Sequence, residues 1–366
     1  MELTNHEKER YARQLILPEL GSQGQLKLKN ARILLVGAGG LGSPQAIYLA
    51  AGGIGTLGLI DPDRVGLDNL HRQVIHFTKD VGKLKVASAK EKIAQINPQV
   101  NVLTYPEKLT DKNALEIFQG YDIIIDGTDN FPARYLINDA CVMLKKPFVF
   151  GGIFRFEGQV SVFGLENSPC YRCIFQEPPA PEDIPSCAEA GVLGVLPGMI
   201  GLLQSNEAIK IICGLGEPLK GRLLIFDALT TQFREMRIKK NLECPMCGDQ
   251  ATIHELKEYQ GHCAAGENME ITVQELKKIM NNPSEKYCLI DVREPWEWEV
   301  AHIEGAILKP LSTFEENYQD IPKDRKIFIH CQVGGRSAAA VEFLRSKGYT
   351  NCANVLGGMD AWLKPA

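Results

Sequence analysis

The hydrophobic pattern of the chain alternates between short apolar runs and helical stretches from Ala31 onward. The apolar runs cover residues 32–36, 57–61 and 121–126, and each ends at glycine or aspartate, which is typical of buried parallel strands. The intervening helical stretches cover residues 43–51 and 83–96, and the second stops before an Asn-Pro pair. Strands and helices that alternate in this way predict an α/β fold with a Rossmann-like, doubly wound sheet.

The pattern loosens after Cys247, where Gly, Glu, His and Ala are mixed without a clear period. A second alternation starts near Ile271, with strands predicted at 287–292 and 326–330 and a helix at 337–347. A unit of just under about 100 residues is large enough for a core of its own. We therefore predict one domain at residues 1–248, a linker at 249–269 and a small α/β domain at 270–366.

Composition narrows the class of protein. The 366 residues are 45% hydrophobic and 23% charged, with a net charge of −5, and they carry no dense Lys/Arg stripe that would favour nucleic acid. No apolar run reaches the roughly 18–20 residues of a membrane span, and the first ten residues are too polar for a secretory signal. We expect a cytoplasmic protein with no membrane partner, in which eleven cysteines indicate metal ligands or reactive thiols.

A G-x-G-x-x-G motif at residues 37–42 follows the first predicted strand and opens a helix. Its glycines allow a tight turn and a close approach of the backbone to phosphate groups at the helix N-terminus. Asp61 closes the next strand, where an acidic residue accepts the ribose hydroxyls of a nucleotide. A nicotinamide dinucleotide and ATP both fit this pattern.

Three charged residues favour a triphosphate. Arg72 follows the glycine motif, and Lys85 lies near the start of the next helix. Asp129 follows the 121–126 strand, at the edge of an open α/β sheet where ligands bind. Cations neutralise phosphate charge, and a carboxylate suits Mg²⁺. An NAD-dependent oxidoreductase is the alternative, but it leaves Arg72 and Lys85 without a role.

These motifs, with the segments 10–14, 68–73 and 128–130, resemble the MoeB/ThiF family, relatives of the ubiquitin-activating enzymes, over about residues 5–250. The resemblance implies ATP- and Mg²⁺-dependent adenylation of the C-terminal glycine of a ubiquitin-like sulfur-carrier protein ending in Gly-Gly. It also implies a homodimer, in which Arg13 reaches the phosphates of the neighbouring subunit's site and acts with Arg72 in catalysis. The nucleotide-site residues implied are Gly40, Asp61, Asp68, Asn69, Leu70, His71, Arg72, Lys85, Asp129 and Asn130.

Two C-x-x-C pairs, Cys170 with Cys173 and Cys244 with Cys247, have the spacing of a four-thiolate zinc site. Four protein ligands would fill the coordination sphere, so the zinc would be structural. Unrelated buried thiols and redox pairs are the alternatives. The family resemblance also carries this zinc site.

Cys187 lies in a proline-rich segment that is similar to the crossover loop of the same family. The resemblance implies that this thiol takes part in thioester or disulfide chemistry with the carrier or a sulfur donor. An inert buried thiol is the alternative.

Cys331 begins the loop 331–336 between an apolar strand and a helix, a setting in which backbone N–H groups form an anion nest. With the segments 289–294 and 301–306, this loop resembles single-domain rhodaneses over about residues 270–366. Its six residues favour a persulfide, since related phosphatases use a loop one residue longer. A phosphatase and a scaffold that only docks a donor protein are the alternatives. Gln332 stands where many thiosulfate-using rhodaneses have a basic residue, so we expect a protein persulfide from a cysteine desulfurase as the donor.

The sequence thus predicts an adenylyltransferase and sulfurtransferase that makes a carrier thiocarboxylate, as in molybdopterin cofactor biosynthesis. Thiamine, cysteine and tRNA thiolation remain open. We expect Cys263 to be incidental rather than a relay thiol, and the Asp291–Arg293 pair to serve either structure or the site. We predict that four cysteines in apolar stretches are buried in the core: Cys141, Cys213, Cys288 and Cys352.

Overall fold

The computed structural model describes residues 2–178, 191–257, 270–282 and 285–363, and these residues form two compact units. The first unit comprises residues 2–178 and 191–257, and the second comprises the remaining two ranges. Cys187 and Cys263 lie outside the described residues. No helix in the described ranges combines the length and the apolar character needed to cross a bilayer.

The first unit is built on a mixed sheet in the order β3-β2-β1-β4-β5-β6-β7-β8. Its strands are β1 Arg32–Val36, β2 Thr56–Ile60, β3 Asn101–Tyr105, β4 Ile123–Asp126, β5 Phe148–Phe154, β6 Glu157–Phe163, β7 Arg222–Asp227 and β8 Gln232–Arg237. The five strands from β3 to β5 are parallel, which confirms the predicted doubly wound sheet. The antiparallel strands β6 to β8 were not predicted and extend the sheet on one side.

Helices cover both faces of this sheet. The helices of the first unit are α1 Asn5–Arg10, α2 Ala12–Leu15, α3 Gly21–Asn30, α4 Gly42–Ala51, α5 Lys85–Ile96, α6 Ala114–Gln119, α7 Phe131–Leu144 and α8 Leu196–Cys213. Ile33 and Leu35 of β1 pack with α3, α4, α5 and α8, whereas Leu34 and Val36 pack with α6 and α7. Because successive side chains of a strand point to opposite faces, a continuous apolar run is what a two-sided core requires.

The predicted elements agree closely with the observed ones. Strand β1 occupies the predicted residues, and β2 begins and ends one residue before the predicted 57–61. Helix α5 starts at Lys85 rather than at residue 83, because the backbone at Lys83 accepts a hydrogen bond from Val65 and Leu84 is not helical. These shifts leave Asp61 just beyond the carboxyl end of β2 and Lys85 at the start of α5.

The second unit is a parallel sheet in the order β11-β10-β12-β13-β9, with core clusters on its two faces. Its elements are β9 Glu270–Thr272, α9 Val273–Met280, β10 Tyr287–Asp291, α10 Pro295–Val300, β11 Ile307–Leu308, α11 Phe314–Asn317, β12 Lys326–His330, α12 Gly335–Ser346, β13 Cys352–Leu356 and α13 Gly358–Trp362. Strand β12 matches the prediction, and α12 begins two residues before the predicted 337. The residues 331–334 between them carry Cys331.

Candidate active sites

The glycine loop, residues 37–42, joins β1 to α4 and lies against the turn that follows β4. Gly37 has a φ of +102°, and a Cβ there would lie 2.6 Å from the carbonyl oxygen of Gly127. Any side chain at this position would separate the two turns and would strain the backbone. The loop leads into the N-terminus of α4. Helix N-termini in general favour the binding of phosphate groups.

Asp61 is hydrogen-bonded to the glycine loop. Its Oδ2 accepts a hydrogen bond of 2.8 Å from the backbone N–H of Ala38, and its Oδ1 accepts one of 2.8 Å from Asp63. Burial raises the pKa of the Asp61 carboxyl, although the positive charge of Lys85 opposes the shift. The Lys85 ammonium lies 2.8 Å from the Asp63 carboxylate. The structure therefore places both predicted residues, Asp61 and Lys85, beside the loop.

Arg72 lies over the glycine loop. A Cβ on Gly40 would lie 3.6 Å from Cγ of Arg72 and 3.0 Å from Cβ of Pro197. The guanidinium donates to the Asp68 carbonyl at 3.1 Å, and its Nη1 is 2.7 Å from Nε2 of His71. Burial and the adjacent Arg72 charge lower the pKa of His71, which favours the neutral ring that can accept this hydrogen bond.

The predicted residues Asp68, Asn69 and Leu70 form the turn that precedes Arg72. Oδ1 of Asn69 accepts from the Gly66 N–H at 3.1 Å, and its Nδ2 donates to Asp68 at 2.9 Å. The Leu70 N–H closes the turn on Leu67 at 3.3 Å. These bonds show how the segment is shaped and leave a direct role with nucleotide as a prediction.

Asp129 and Asn130 follow the carboxyl end of β4, and both are exposed. The turn that carries them is fixed by the buried Asp126, whose Oδ1 accepts from the Thr128 N–H at 2.9 Å and from its hydroxyl at 2.6 Å. Oδ1 of Asn130 accepts from the Ala133 N–H at 3.0 Å and caps α7. Asp129 is exposed two residues after Gly127, which lies against Gly37 of the glycine loop. Asn130 makes a structural hydrogen bond, and its role at the nucleotide stays a prediction.

Arg13 lies on α2, with its side chain exposed. With Arg10 it borders a surface cavity of about 430 Å³, whose other lining residues include Tyr48, Gly52 and Leu202. The contacts of the glycine loop given above do not involve Arg13. A role for this side chain in its own chain's site has no support in these contacts, and its role in a neighbouring subunit stays a prediction.

Sequence reasoning missed His76, which holds the glycine loop from the side of α5. Its Nε2 lies 3.0 Å from the Ala38 carbonyl and its Nδ1 lies 2.9 Å from the Ser88 hydroxyl. A carbonyl only accepts, so Nε2 carries the hydrogen and Nδ1 accepts from Ser88. Gln73, which ends the 68–73 segment of the family resemblance, is buried beside Gly39. A single histidine outside any motif gives no signal in the sequence that it bonds to the glycine loop.

Four cysteine thiols converge in the first unit, at the two predicted C-x-x-C turns. The Sγ atoms of Cys170, Cys173, Cys244 and Cys247 all lie within 4.8 Å of one another. The pairs Cys170–Cys244, Cys173–Cys247 and Cys170–Cys173 are separated by 3.6, 3.4 and 4.0 Å. A tetrahedral zinc with Zn–S bonds of about 2.3 Å requires S···S distances of about 3.8 Å, so the thiols fit this ion.

The turns themselves supply N–H donors to the sulfur atoms. Sγ of Cys173 accepts from the backbone N–H groups of Cys170 and Asn241, each at 3.4 Å. Hydrogen bonding between Cys170 and Cys173 lowers the pKa of Cys173 and raises the pKa of Cys170. Such a cluster prepares a thiolate for a cation, since all four groups could not ionise together without one.

In the second unit, Cys331 is buried at the base of a cradle of donors. Its Sγ accepts from the Gly334 N–H at 3.1 Å, and the Ser337 hydroxyl lies 3.4 Å away. That hydroxyl is also 2.7 Å from Oδ1 of Asn354, a buried residue of β13. Gly334 has a φ of +115°, which turns its N–H toward the sulfur and marks the start of α12. One backbone N–H of the predicted nest, that of Gly334, therefore reaches this thiol.

Charged side chains anchor the loop that follows Cys331. Both terminal nitrogens of Arg336 donate to Glu297, at 2.6 and 2.7 Å. Arg293 forms a buried bidentate pair with Asp291, and its Nη1 donates to Gln332 at 3.2 Å. The Asp291–Arg293 pair therefore serves the structure and also reaches the loop. Gln332 in turn donates to Asp360 of α13.

The other cysteines agree with their predicted positions where the structure describes them. Cys141, Cys213, Cys288 and Cys352 are buried in the cores of the two units. The residues flanking the Cys187 segment are described: the Glu177 carbonyl accepts from the Tyr135 hydroxyl, and a Cβ on Gly194 would lie 2.9 Å from Nδ1 of His71. The chain that follows this segment therefore returns to the Arg72 side of the glycine loop.

Comparison with family models gives two matches that divide the chain. The ThiF family matches residues 11–246, and the rhodanese-like domain matches residues 272–365.

Named relatives cover nearly the whole chain. "Probable adenylyltransferase/sulfurtransferase MoeZ" of Mycobacterium tuberculosis is 44% identical over 99% of this chain and 94% of its own. "Adenylyltransferase and sulfurtransferase MOCS3" of Culex quinquefasciatus is 39% identical over 99% of this chain and 88% of its own. "Sulfur carrier protein adenylyltransferase" of Thermus thermophilus is 50% identical over 72% of this chain and 99% of its own.

Solved structures resemble the larger part of the chain. The crystal structure of E. coli MccB with succinimide has a TM-score of 0.60 and 24% identity, over 68% of this chain and 75% of that one, and it supports the fold alone. The crystal structure of PaaA has a TM-score of 0.56 and 28% identity, over 65% of this chain and 76% of that one.

Proposed function

This chain belongs to the ThiF family and carries a rhodanese-like domain, and on this basis we propose that it adenylates a sulfur-carrier protein and then transfers sulfur to it. It is a transferase with an adenylyltransferase part and a sulfurtransferase part. The carrier is a ubiquitin-like protein that ends in Gly-Gly, and the product is its C-terminal thiocarboxylate. One observation carries this proposal: the chain contains both kinds of site. Its first unit has a glycine loop with Asp61, Arg72 and Lys85 nearby, and its second unit has Cys331, whose sulfur accepts a backbone hydrogen bond.

The adenylation step needs alignment and charge neutralisation rather than a protein nucleophile. ATP lies with its phosphates along the glycine loop at the N-terminus of α4, and its ribose lies toward Asp61. An oxygen of the carrier carboxylate attacks the α-phosphorus, the bond to the β-phosphate breaks and pyrophosphate leaves. Arg72 and Lys85 offset the negative charge that builds up on the phosphates.

Two metal ions belong to this proposal, in different roles. Asp129, an exposed carboxylate two residues after Gly127, is suited to hold Mg²⁺, which shields phosphate charge when bound. Cys170, Cys173, Cys244 and Cys247 would hold Zn²⁺, which would join the two C-x-x-C turns without a role in the reaction.

Sulfur transfer begins with a persulfide on Cys331, which a cysteine desulfurase supplies. Its terminal sulfur attacks the acyl carbon of the adenylate, AMP leaves, and an acyl disulfide joins the carrier to Cys331. The Cys187 thiolate then attacks the Cys331 sulfur of that disulfide. The carrier leaves as the thiocarboxylate, and a Cys187–Cys331 disulfide forms that a thiol reductant must open before the next cycle.

The proposal includes the quaternary and cellular setting. We place the enzyme in the cytoplasm as a homodimer in which Arg13 reaches the partner's phosphates. Molybdenum cofactor biosynthesis is the pathway that we favour, because the relatives from Culex quinquefasciatus and other species carry the name MOCS3. Carriers for thiamine, cysteine or tRNA thiolation would use the same chemistry.

Pyrophosphate exchange tests the adenylation step. We expect ATP to exchange with labelled pyrophosphate only when a carrier ending in Gly-Gly is present, and a panel of such carriers identifies the pathway. The same carriers without the last glycine are the controls. Absence of exchange with every carrier, together with binding of NADH, would contradict the proposal and favour an oxidoreductase.

Single-turnover sulfur transfer tests the role of Cys331. With a protein persulfide as donor, Cys331→Ala should abolish thiocarboxylate formation and leave pyrophosphate exchange intact. Cys352→Ala is the matched control, because this cysteine is buried in the same unit without lining the cradle. Undiminished thiocarboxylate formation by Cys331→Ala would reject the assigned role.

A further inference from the structure

The arginine that ends the Cys331 loop is already paired. Both terminal nitrogens of Arg336 donate to the two carboxylate oxygens of Glu297, and both side chains are largely buried, with 14% and 9% exposed. A bidentate pair of this kind satisfies the guanidinium in the geometry that it would otherwise offer to an oxyanion. The positive charge of Arg336 is therefore already offset by a carboxylate before a ligand enters the loop, although each terminal nitrogen keeps a second N–H.

Further carboxylates surround the same loop. The hydrogen bonds to Glu297, followed by the negative charges of Glu297 and Glu294, raise the pKa of Arg336 against the opposing effect of burial. Arg293 is paired with Asp291, and Asp360 accepts from Gln332. The side chains that hold the loop through these bonds thus comprise two arginines and three carboxylates, Asp291, Glu297 and Asp360. This surplus of negative charge opposes the entry of a dianion.

We propose that Glu297 determines donor specificity, because by pairing with Arg336 it disfavours dianionic donors such as thiosulfate and favours alkyl persulfides. This inference rests on the sulfurtransferase role proposed for Cys331. Glu297 acts through Arg336 and is not itself in contact with the reacting sulfur.

The two donors load Cys331 by parallel displacements. The Cys331 thiolate attacks the terminal sulfur of an alkyl persulfide, the S–S bond breaks, and the alkyl thiol leaves with the proton. With thiosulfate, the thiolate attacks the outer sulfur, the S–S bond breaks, and sulfite leaves with the electron pair. Cyanide then removes the sulfur from Cys331 as thiocyanate and regenerates the thiolate. The donors differ in that sulfite departs as a dianion, which needs the positive charge that Glu297 neutralises.

Glu297→Gln in the full chain tests this inference. Glutamine keeps an oxygen that can accept from the Glu294 N–H, a bond that Glu297 makes at 3.0 Å at the start of α10. We expect the ratio of kcat/KM for thiosulfate to kcat/KM for cysteine persulfide to rise about tenfold, mainly through a lower KM for thiosulfate. Thiocyanate release is the assay, and far-UV circular dichroism verifies the fold.

Matched variants separate this effect from a general change in charge. Glu299→Gln removes the same charge from an exposed position of α10 and should leave the ratio unchanged. Glu297→Gln combined with Arg336→Gln should lose the gain, because no unpaired arginine remains. An unchanged ratio in folded Glu297→Gln, or an equal rise in Glu299→Gln, would overturn the inference. If the unaltered chain uses neither donor, the sulfurtransferase role fails and the inference fails with it.

Discussion

His76 shows how one buried side chain can hold a site that it does not touch chemically. Its ring connects the Ala38 carbonyl of the glycine loop to Ser88 of α5. The pKa of His76 is lowered by burial and by the charges of Lys85 and Lys92, against hydrogen bonding to Ala38 and the charge of Asp61. The ring is therefore neutral in the folded protein near neutral pH.

We predict that His76→Gln destabilises the first unit in a pH-dependent way. In the unfolded chain the imidazole takes up a proton below about pH 6.5, whereas in the folded protein it does so only at lower pH. The unaltered protein therefore loses stability as pH falls below 6.5, and glutamine does not titrate. The difference in unfolding free energy should be about 1 kcal/mol at pH 7.5 and smaller at pH 5.5.

Urea unfolding followed by far-UV circular dichroism measures this difference. His254→Gln is the control, because His254 is an exposed histidine of the same unit and should show no effect at either pH. A difference between the unaltered protein and His76→Gln that is the same at both pH values would contradict the prediction.

Arg172 and Asp139 form a second residue-scale feature, next to the cysteine cluster. Arg172 lies between Cys170 and Cys173, and it donates to the two carboxylate oxygens of Asp139 at 2.7 and 2.8 Å. Both side chains are buried. We predict that Arg172→Met costs about 3–5 kcal/mol of unfolding free energy, because it leaves a buried carboxylate without its cation.

Two variants show whether the cost comes from the uncompensated charge. Arg172→Met combined with Asp139→Leu should recover most of the loss, since both charges of this pair are then removed together. Arg234→Met removes an exposed partner of Glu157 in the same unit and should cost less than about 1 kcal/mol. A double variant as unstable as Arg172→Met would show that packing, not charge, is the cause.

At the scale of elements, the sequence predicted strands and helices best where an apolar run is followed directly by turn residues. The β1–glycine loop–α4 unit and the β12–Cys331 loop–α12 unit were predicted to within two residues, because glycines end an apolar strand and a helix follows. The antiparallel strands β6 to β8 were not predicted. Strand β8 is exposed along its length and has no apolar alternation, and only its backbone pairing with β7 defines it.

Some residues of the candidate sites could be predicted from the sequence, and others could not. Residues that stand in a motif, such as Asp61, Arg72 and Cys331, were found from local sequence. Two residues that hold these sites were not found in this way: His76 bonds to Ala38 and Glu297 bonds to Arg336, which lie 38 and 39 residues away in sequence. Contacts between residues far apart in sequence depend on tertiary packing, which no local period encodes.

The cysteine cluster joins two turns that are far apart in sequence, and we predict that zinc stabilises the first unit selectively. One zinc per chain should be bound, and Cys170→Ser should abolish binding and lower the unfolding free energy of this unit by several kcal/mol. All three tryptophans, Trp296, Trp298 and Trp362, lie in the second unit. Tryptophan fluorescence should therefore report the unfolding of the second unit, and zinc removal should leave this transition unchanged. Far-UV circular dichroism, which reports both units, should show the loss of stability of the first unit.

Elemental analysis of the purified chain measures the zinc content. Cys213→Ser is the matched control, because Cys213 is buried in the same unit outside the cluster and should leave one zinc bound. Full zinc content in Cys170→Ser would contradict the assignment.

At the scale of the whole molecule, the proposed homodimer makes a prediction that one chain alone cannot satisfy. Arg72 lies over the glycine loop of its own chain, whereas Arg13 is exposed on α2, beside a cavity lined by Tyr48 and Leu202. If Arg13 serves the partner's site, each active site needs Arg72 from one chain and Arg13 from the other. Arg13→Ala and Arg72→Ala homodimers should then both lose carrier adenylation.

Heterodimers isolated through two different affinity tags decide between the two arrangements. Pairing an Arg13→Ala chain with an Arg72→Ala chain leaves one of the two sites complete when Arg13 acts across the dimer, so about half of the unaltered rate of pyrophosphate exchange should return. Pairing an unaltered chain with one that carries both substitutions should give almost no exchange, because every site then lacks one arginine. If Arg13 acts within its own chain, the two heterodimers should behave in the opposite way, and a chain that elutes only as a monomer would reject the dimeric site altogether.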